Sequence, residues 1–569
     1  MNGAVYNELV VKGGMVVDGT GRPSEPADVR VSNGVITEVG PNLTVGSART
    51  IDASEAYVAP GFIDSHTHLD PSMFWDPFCD PMPQHGVTTV VTGNCSLSLV
   101  PVRPDTVQSV SDVFCFIEDM PTASFAEGIP WTWETFAEYR DSIDKNGLAV
   151  HAVALLGHSV LRMYVMGDDS WNRAATEEER TLMARVLDES MAAGAFGFST
   201  SRLDVDRHQR PVPSRLADLD ELDSLLAVVG ARGGHLVEFI PNLLGEHGMD
   251  DLEELARACG RRGVTSIWNG LAHSARQPEN SKNLMATVRG LRSEGIDVWP
   301  MMSPRTVDFR IGWQSSFVFL QFPKSWHRIP NADDDAQRRR LLGDPDWRAT
   351  ARVEWDAVEG QLFPTRSLDR VRLIEVARPE LNRWLGHTFS DLAADRGGHP
   401  SDVLADWVLE NELRPGVVVV GVANSDAEAV AELLVDPDTL VSASDAGAHV
   451  QMMCAAGDTT LLLTRHVRDR QDLSVEQAVH ELTGRQAEVC GLRSRGYVRE
   501  GLRADLTVFA LEDLAWESDE FVPDLPTGAS RLRRPAGGYR FTLADGVVTQ
   551  EDGELTGALP ARVLDSRTA

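Results

Sequence analysis

Two histidines separated by one residue follow a short apolar run in Ala59-Pro60-Gly61-Phe62-Ile63-Asp64-Ser65-His66-Thr67-His68. Residues two apart in an extended strand project to the same face, so both imidazoles can reach one metal ion. Much later, Leu440-Val441-Ser442-Ala443-Ser444-Asp445 repeats the design, an apolar run ending in a carboxylate. Asp64 and Asp70 flank the histidine pair and offer the acceptors that ligating imidazoles need on their second nitrogen. Cys95, in Thr92-Gly93-Asn94-Cys95-Ser96, directly follows the apolar run 87–91. A lone cysteine is more often a small buried hydrophobe, yet one at the end of a strand reads better as a thiolate ligand. Cysteine, histidine and carboxylate donors suit zinc better than magnesium or calcium. The expectation is one zinc held by His66, His68 and Asp445, with Cys95 as a further ligand. Asp445 would then carry the proton of a metal-activated water.

Other polar residues fall near strand ends. His158, in Leu156-Gly157-His158-Ser159, is placed to contact a polarised carbonyl. Glu238 and Asn269 come near the ends of the fifth and sixth strands, and Arg202 and Arg305 are cations able to hold a substrate carboxylate. His449, four residues after Asp445, faces the pocket or sits in a loop. For each of these, a plain hydrogen bond at the barrel rim is an equal reading.

The elements that must position these groups alternate strand and helix. Residues 149–157 read as a buried strand, and Thr176-Glu177-Glu178-Glu179 is a capping box that opens a helix with Leu182, Met183, Val186, Leu187 and Met191 on one stripe. Strands over 196–200, 236–240, 265–269 and 296–301 follow, separated by helices beginning near Leu219, Leu252 and Leu284. With strands near Ile63, Val87 and Val441 the count reaches eight, and 417–422 is a ninth candidate. This is the pattern of an α/β (β/α)₈ TIM-like barrel. Short strands and tight turns before residue 58 and after 498 predict a small β-sandwich domain built from both termini, around a barrel spanning 59–497. The barrel rhythm breaks over about 303–399, an insertion that serves as a lid or as a solvated decoration. No internal repeat is visible.

Composition narrows the partners. A formal charge of −32 over 569 residues disfavours nucleic acid and anionic membranes, which would repel the chain. Six cysteines without a pairing pattern suit a reducing compartment. Residues 1–10 lack a basic stretch leading into an apolar one, and no apolar run reaches spanning length. A cytoplasmic protein acting on a small molecule is therefore expected, with a homo-oligomer left open. Lysine occurs only at 12, 145, 282 and 324, so no carboxylated lysine can bridge two metals at the end of strand four.

These residues bring the chain to a known family. It resembles the amidohydrolase superfamily, and within it the longer members of the D-aminoacylase (N-acyl-D-amino-acid deacylase) branch. The resemblance runs through 60–70, 86–95, Gly157-His158, 194–200, Ser444-Asp445 and 501–506, with the stretches Glu118–Pro121 and Gly128–Trp131 typical of the longer members. It implies a barrel with a small β-domain, zinc, and hydrolysis of an N-acyl amide, with His66, His68, Cys95 and Asp445 at the metal-ligand positions. Two further family ligands, histidines on strands five and six, do not carry over: those places read Leu236-Val237-Glu238-Phe239 and Ser266-Ile267-Trp268-Asn269. His235 and His273 lie out of register, which argues against a second metal. Two alternatives accompany this reading: hydrolysis of another C–N bond, such as a cyclic amide, on the same centre, or a barrel that has lost catalysis and serves as a scaffold.

Overall fold

The computed structural model describes residues 8–233, 235–244, 247–313, 324–357 and 363–569. The first seven residues of the N-terminal reading, and parts of the 303–399 insertion, lie outside these. Eight strands pair in parallel and in sequence order: Phe62–Asp64, Val87–Thr92, His151–Gly157, Gly197–Ser201, Leu236–Ile240, Thr265–Trp268, Val298–Met302 and Leu440–Val441, here strands one to eight. The sheet closes on itself. Ser65 N–H donates to the Ser442 carbonyl at 2.9 Å, and His68 N–H donates to the Ala446 carbonyl at 2.7 Å. The (β/α)₈ barrel expected from the alternation is present.

Period-two alternation along each strand sorts its residues between two cores. Ile63, Val91, Val153, Leu155, Leu236, Ile267, Met301 and Leu440 form one buried cluster. Their strand neighbours Phe62, Val90, Ala154, Val237, Trp268, Met302 and Val441 join the larger cluster shared with the surrounding helices. The helix Glu177–Ala192 opens on the expected capping box, with Thr176 and Glu179 each satisfying the other's backbone N–H, and buries Met183, Leu187 and Met191 against the barrel. The helices expected near Leu252 and Leu284 begin earlier, at Gly248 and Pro278, because their polar first turns carry no apolar periodicity.

Strands from both ends of the chain build one nine-stranded sheet. Tyr57–Pro60 lies between Glu8–Val16, which it pairs in parallel, and Leu506–Phe509, which it pairs antiparallel. Tyr57–Pro60 runs almost directly into strand one, so this sheet and the first histidine segment share a continuous piece of chain.

The ninth strand candidate is not in the barrel. Val417–Ala423 pairs antiparallel with Val307–Arg310 and Val371–Leu373 in a separate three-stranded sheet. That sheet packs with helices Asp335–Gly343, Pro345–Ala357 and Pro400–Glu410 around Trp326, Trp347, Trp355 and Trp407. A run of β-branched residues cannot by itself say which sheet it joins.

Strands four and five approach closely at Gly197. Its φ is 155°, and a Cβ there would lie 1.9 Å from the Leu236 carbonyl oxygen. Gly197→Ala is expected to cost on the order of 3 kcal/mol or more in urea unfolding, since backbone must move to admit the methyl. A loss under about 0.5 kcal/mol would show that the strand pair is not tight there.

Candidate metal centre

His66 and His68 follow strand one and turn their Nε2 atoms toward Cys95, whose Sγ lies 3.3 Å from the first and 3.4 Å from the second. The three ligand atoms all lie within 4.8 Å of one another. Asp445 approaches the same pair, its Oδ1 3.6 Å from His66 Nε2 and 3.5 Å from His68 Nε2. Bonds of about 2.0–2.3 Å at tetrahedral angles place zinc ligands roughly 3.3–3.6 Å apart. The thiol–imidazole and carboxylate–imidazole spacings fall in that range, so the donor set fits a metal ion in both chemistry and spacing. The histidines are buried to 1 % exposure, whereas the Asp445 side chain keeps 22 %. The cluster is closed beneath and open at the carboxylate.

Backbone strain concentrates here. Cys95, Ser96, Ser442, Asp445 and His449 all have positive φ, between 49° and 86°. Such conformations cost about 1–3 kcal/mol each for non-glycine residues and persist only where their surroundings hold them. Ser96 N–H donates to Ser199 Oγ at 2.9 Å, Ser96 Oγ to Ser159 Oγ at 2.7 Å, and Asn94 Nδ2 to the carbonyls of Thr67 and Val91 at 3.0 Å. Asp445 N–H donates to the His66 carbonyl at 2.9 Å. Gly447, at φ 88°, leaves room for the His68 carbonyl, which a Cβ would meet at 2.6 Å.

Buried carboxyls surround the ligands. Glu238 Oε2 accepts the Cys95 N–H at 2.9 Å, while Oε1 lies 3.9 Å from His66 Nδ1 without a hydrogen-bond partner. Glu118 Oε1 lies 3.3 Å from His68 Nδ1. Asp64 accepts from His66 N–H at 3.3 Å and Ser444 N–H at 3.1 Å, and Asp70 from Gly93 N–H at 3.3 Å. Burial pushes Asp64 and Asp70 up to about 7 and Glu238 to about 8, and holds Glu118 well above the usual range. Burial likewise pushes the Cys95 thiol up, His66 down, and His68 down to about 3. Asp445 is the exception. Burial alone would raise it, but His68, His449, His66 and Arg305 hold it below the ordinary carboxylate value. A divalent cation at the ligands reverses the local preference and favours thiolate and carboxylate.

The remaining sequence candidates divide. Asn269 Nδ2 comes 3.5 Å from His66 Nε2, and His449 Nε2 lies 4.0 Å from Asp445 Oδ2, so both border the centre. Glu238 is fully buried beneath Cys95 and accepts that residue's backbone N–H. His158 has both ring nitrogens engaged, by Thr200 Oγ1 at 3.0 Å and Glu221 Oε1 at 2.8 Å, with Arg162 on the other Glu221 oxygen. The expected role of contacting a carbonyl has no nitrogen left to perform it. Arg202 is tied to Asp251 at 2.9 Å and Glu254 at 2.5 Å on the helix Gly248–Arg261, which neutralises the proposed carboxylate holder. Arg305 donates to the Ala455 and Ser444 carbonyls at 2.9 and 3.2 Å and pairs with Asp458 at 3.2 Å. It fastens the loop around Asp445. His235 precedes strand five, at the far end from the ligands, and His273 is bound to Asn424 through its backbone. Sequence reading gave Glu118 no role. Its signal was an acid directly after the apolar run 114–117, the mark of a carboxylate carried inward.

Burial raises Asp64, Asp70 and Glu238 to about 7, 7 and 8, against roughly 4 in an unfolded chain. Their folded-state values are raised, so the stability they contribute is present at low pH and is lost as pH rises through 7 to 8. His68 is shifted the opposite way, and its effect falls below its unfolded value of about 6.5. From about pH 6.5 to 8.5, the melting temperature of chelator-treated protein should therefore fall. Glu238→Gln should flatten that fall above about pH 7, and zinc should stabilise more at pH 8 than at pH 6, because its ligands bind deprotonated. Identical slopes for wild type and Glu238→Gln in thermal scans would contradict the assignment.

Comparison with known proteins agrees with this geometry. The amidohydrolase family model matches residues 49–305 and 392–550. An uncharacterized protein of Mycobacterium tuberculosis is 29% identical over 539 residues, covering 89% of this chain and 84% of that one. A D-aminoacylase of Alcaligenes xylosoxydans xylosoxydans is 28% identical over 572 residues, covering 99% and 98%. A solved D-aminoacylase structure with a binuclear metal center superposes with a TM-score of 0.68 at 26% identity, over 99% of this chain and 100% of that one. The chain belongs to the amidohydrolase family and is a metal-dependent hydrolase.

Proposed function

We propose that the protein is a zinc-dependent amidohydrolase that cleaves the amide of an N-acyl amino acid, with N-acyl-D-amino acids as the substrate class. The observation that carries this is the convergence of His66, His68, Cys95 and Asp445, with imidazole-to-ligand spacings of 3.3–3.6 Å at the barrel mouth. Similarity to the D-aminoacylase over nearly the whole chain supports the substrate class. Zinc, when bound, supplies an activated water and polarises the scissile carbonyl.

The chain's own groups do the rest. Asp445 stays below the ordinary carboxylate value and is therefore anionic, and it is the ligand exposed to the mouth. It accepts the proton from the attacking water and returns it to the departing amine nitrogen. Glu238 braces Cys95 through its backbone N–H, and Glu118 stands behind His68. A single metal is the reading the donors favour, because strands five and six present Glu238 and Asn269 in place of two imidazoles. The D-aminoacylase described with one-metal activation and second-metal attenuation is consistent with a one-metal enzyme.

A net charge of −32 opposes nucleic acid and anionic membrane as partners. Among the described residues, no helix is long and apolar enough to cross a membrane.

Asp445→Ala should lower kcat by about 10²–10⁴-fold or more, while His66, His68 and Cys95 retain much of the zinc. Turnover of N-acyl-D-, N-acyl-L- and cyclic amide substrates, read beside metal content, tests both points. Wild-type rates in the variant would remove Asp445 from the chemistry. Cleavage of cyclic amides alone would move the function to another C–N bond, and zinc-free, inactive protein would favour a scaffold.

A further inference from the structure

Glu118 is the C-cap of the helix Val107–Ile117, in the connection between strands two and three. Its N–H donates to the Phe114 carbonyl at 2.9 Å, which fixes the turn. The side chain is 2 % exposed and places Oε1 3.3 Å from Nδ1 of His68, a buried nitrogen that has no hydrogen-bond partner among the described residues. On its other edge that ring carries Nε2, 3.4 Å from Cys95 Sγ and 3.5 Å from Asp445 Oδ1. Phe114, from the same helix, packs edge-on to the imidazole with ring centroids 6.3 Å apart. The Glu118 carbonyl accepts the Val450 N–H at 3.3 Å, tying the helix end to the loop that follows Asp445.

These contacts have one consequence for His68. An imidazole directs its two nitrogens to opposite sides, so a group that holds Nδ1 sets the tautomer and aim of Nε2. A buried carboxylate among other acids is costly as mere packing, and its cost falls when a cation binds through the ring it holds.

We propose that Glu118 is a positioning residue of the metal centre: its carboxylate is the acceptor set beside the otherwise unpartnered Nδ1 of His68, and it orients the ring so that Nε2 stays directed at Cys95 and Asp445. The inference rests on reading His66, His68, Cys95 and Asp445 as metal ligands.

The test is zinc affinity of the full chain, measured by competition with a chromophoric chelator for wild type, Glu118→Gln and Glu118→Ala. Cobalt(II) absorption of each serves as a report on the ligand set. Glu118→Ala should bind zinc about 10–100-fold more weakly, with Glu118→Gln between it and wild type. The cobalt bands should shift, which a packing defect alone would not cause. Glu118→Gln nearly preserves volume and keeps the comparison valid if the alanine variant does not fold. Wild-type affinity and unchanged cobalt bands in folded Glu118→Gln would overturn the proposal while leaving the metal centre intact. A wild-type chain that takes up no zinc would overturn the ligand reading, and the proposal with it.

Discussion

The Asp445 N–H donates to the His66 carbonyl at 2.9 Å, and the His68 N–H donates to the Ala446 carbonyl at 2.7 Å. These two bonds close the barrel between strands one and eight, and they also set the spacing of the ligands. Residues 66 and 445 are far apart in the chain, yet their backbones are locked before any side chain is considered. Side-chain oxygens and imidazoles then meet at 3.5–3.6 Å with little freedom left to lose. Metal binding to such a site costs little ordering entropy, which is the advantage of placing ligands on a rigid scaffold.

Electrostatics gives the same picture from another side. Asp64, Asp70, Glu118 and Glu238 are all buried, and burial raises every one of them. Without a cation, this concentration of acids is a liability to the fold. With one, each carboxyl becomes a support: Glu238 beneath Cys95, Glu118 behind His68, Asp64 on the amides of His66 and Ser444. Strained residues at 95, 96, 442, 445 and 449 fit the same pattern. Stability is given up locally for a geometry that only a tightly bonded frame can maintain.

The arginines show how packing can claim a group that sequence leaves free. Arg202 and Arg305 looked alike as cations near strand ends. In the fold, Arg202 is neutralised by Asp251 and Glu254 from the helix that follows strand five, while Arg305 bonds the backbone on either side of Asp445. Neither partner could be read from the neighbouring sequence, because each comes from 49 or more residues away.

Local sequence determined much of the protein. Apolar strands alternating with capped helices specified the barrel, and the placement of His66, His68, Cys95 and Asp445 at strand ends specified that these four groups meet, because strand ends of a parallel barrel converge on one face. Tertiary structure alone decided which buried acid serves which ligand, and that Val417–Ala423 leaves the barrel for a separate sheet. It also decided that His158 spends both nitrogens on Thr200 and Glu221. Periodicity reports which way a side chain points within its own element. The partner it meets depends on how distant elements pack, and that information is carried by no single stretch of the chain.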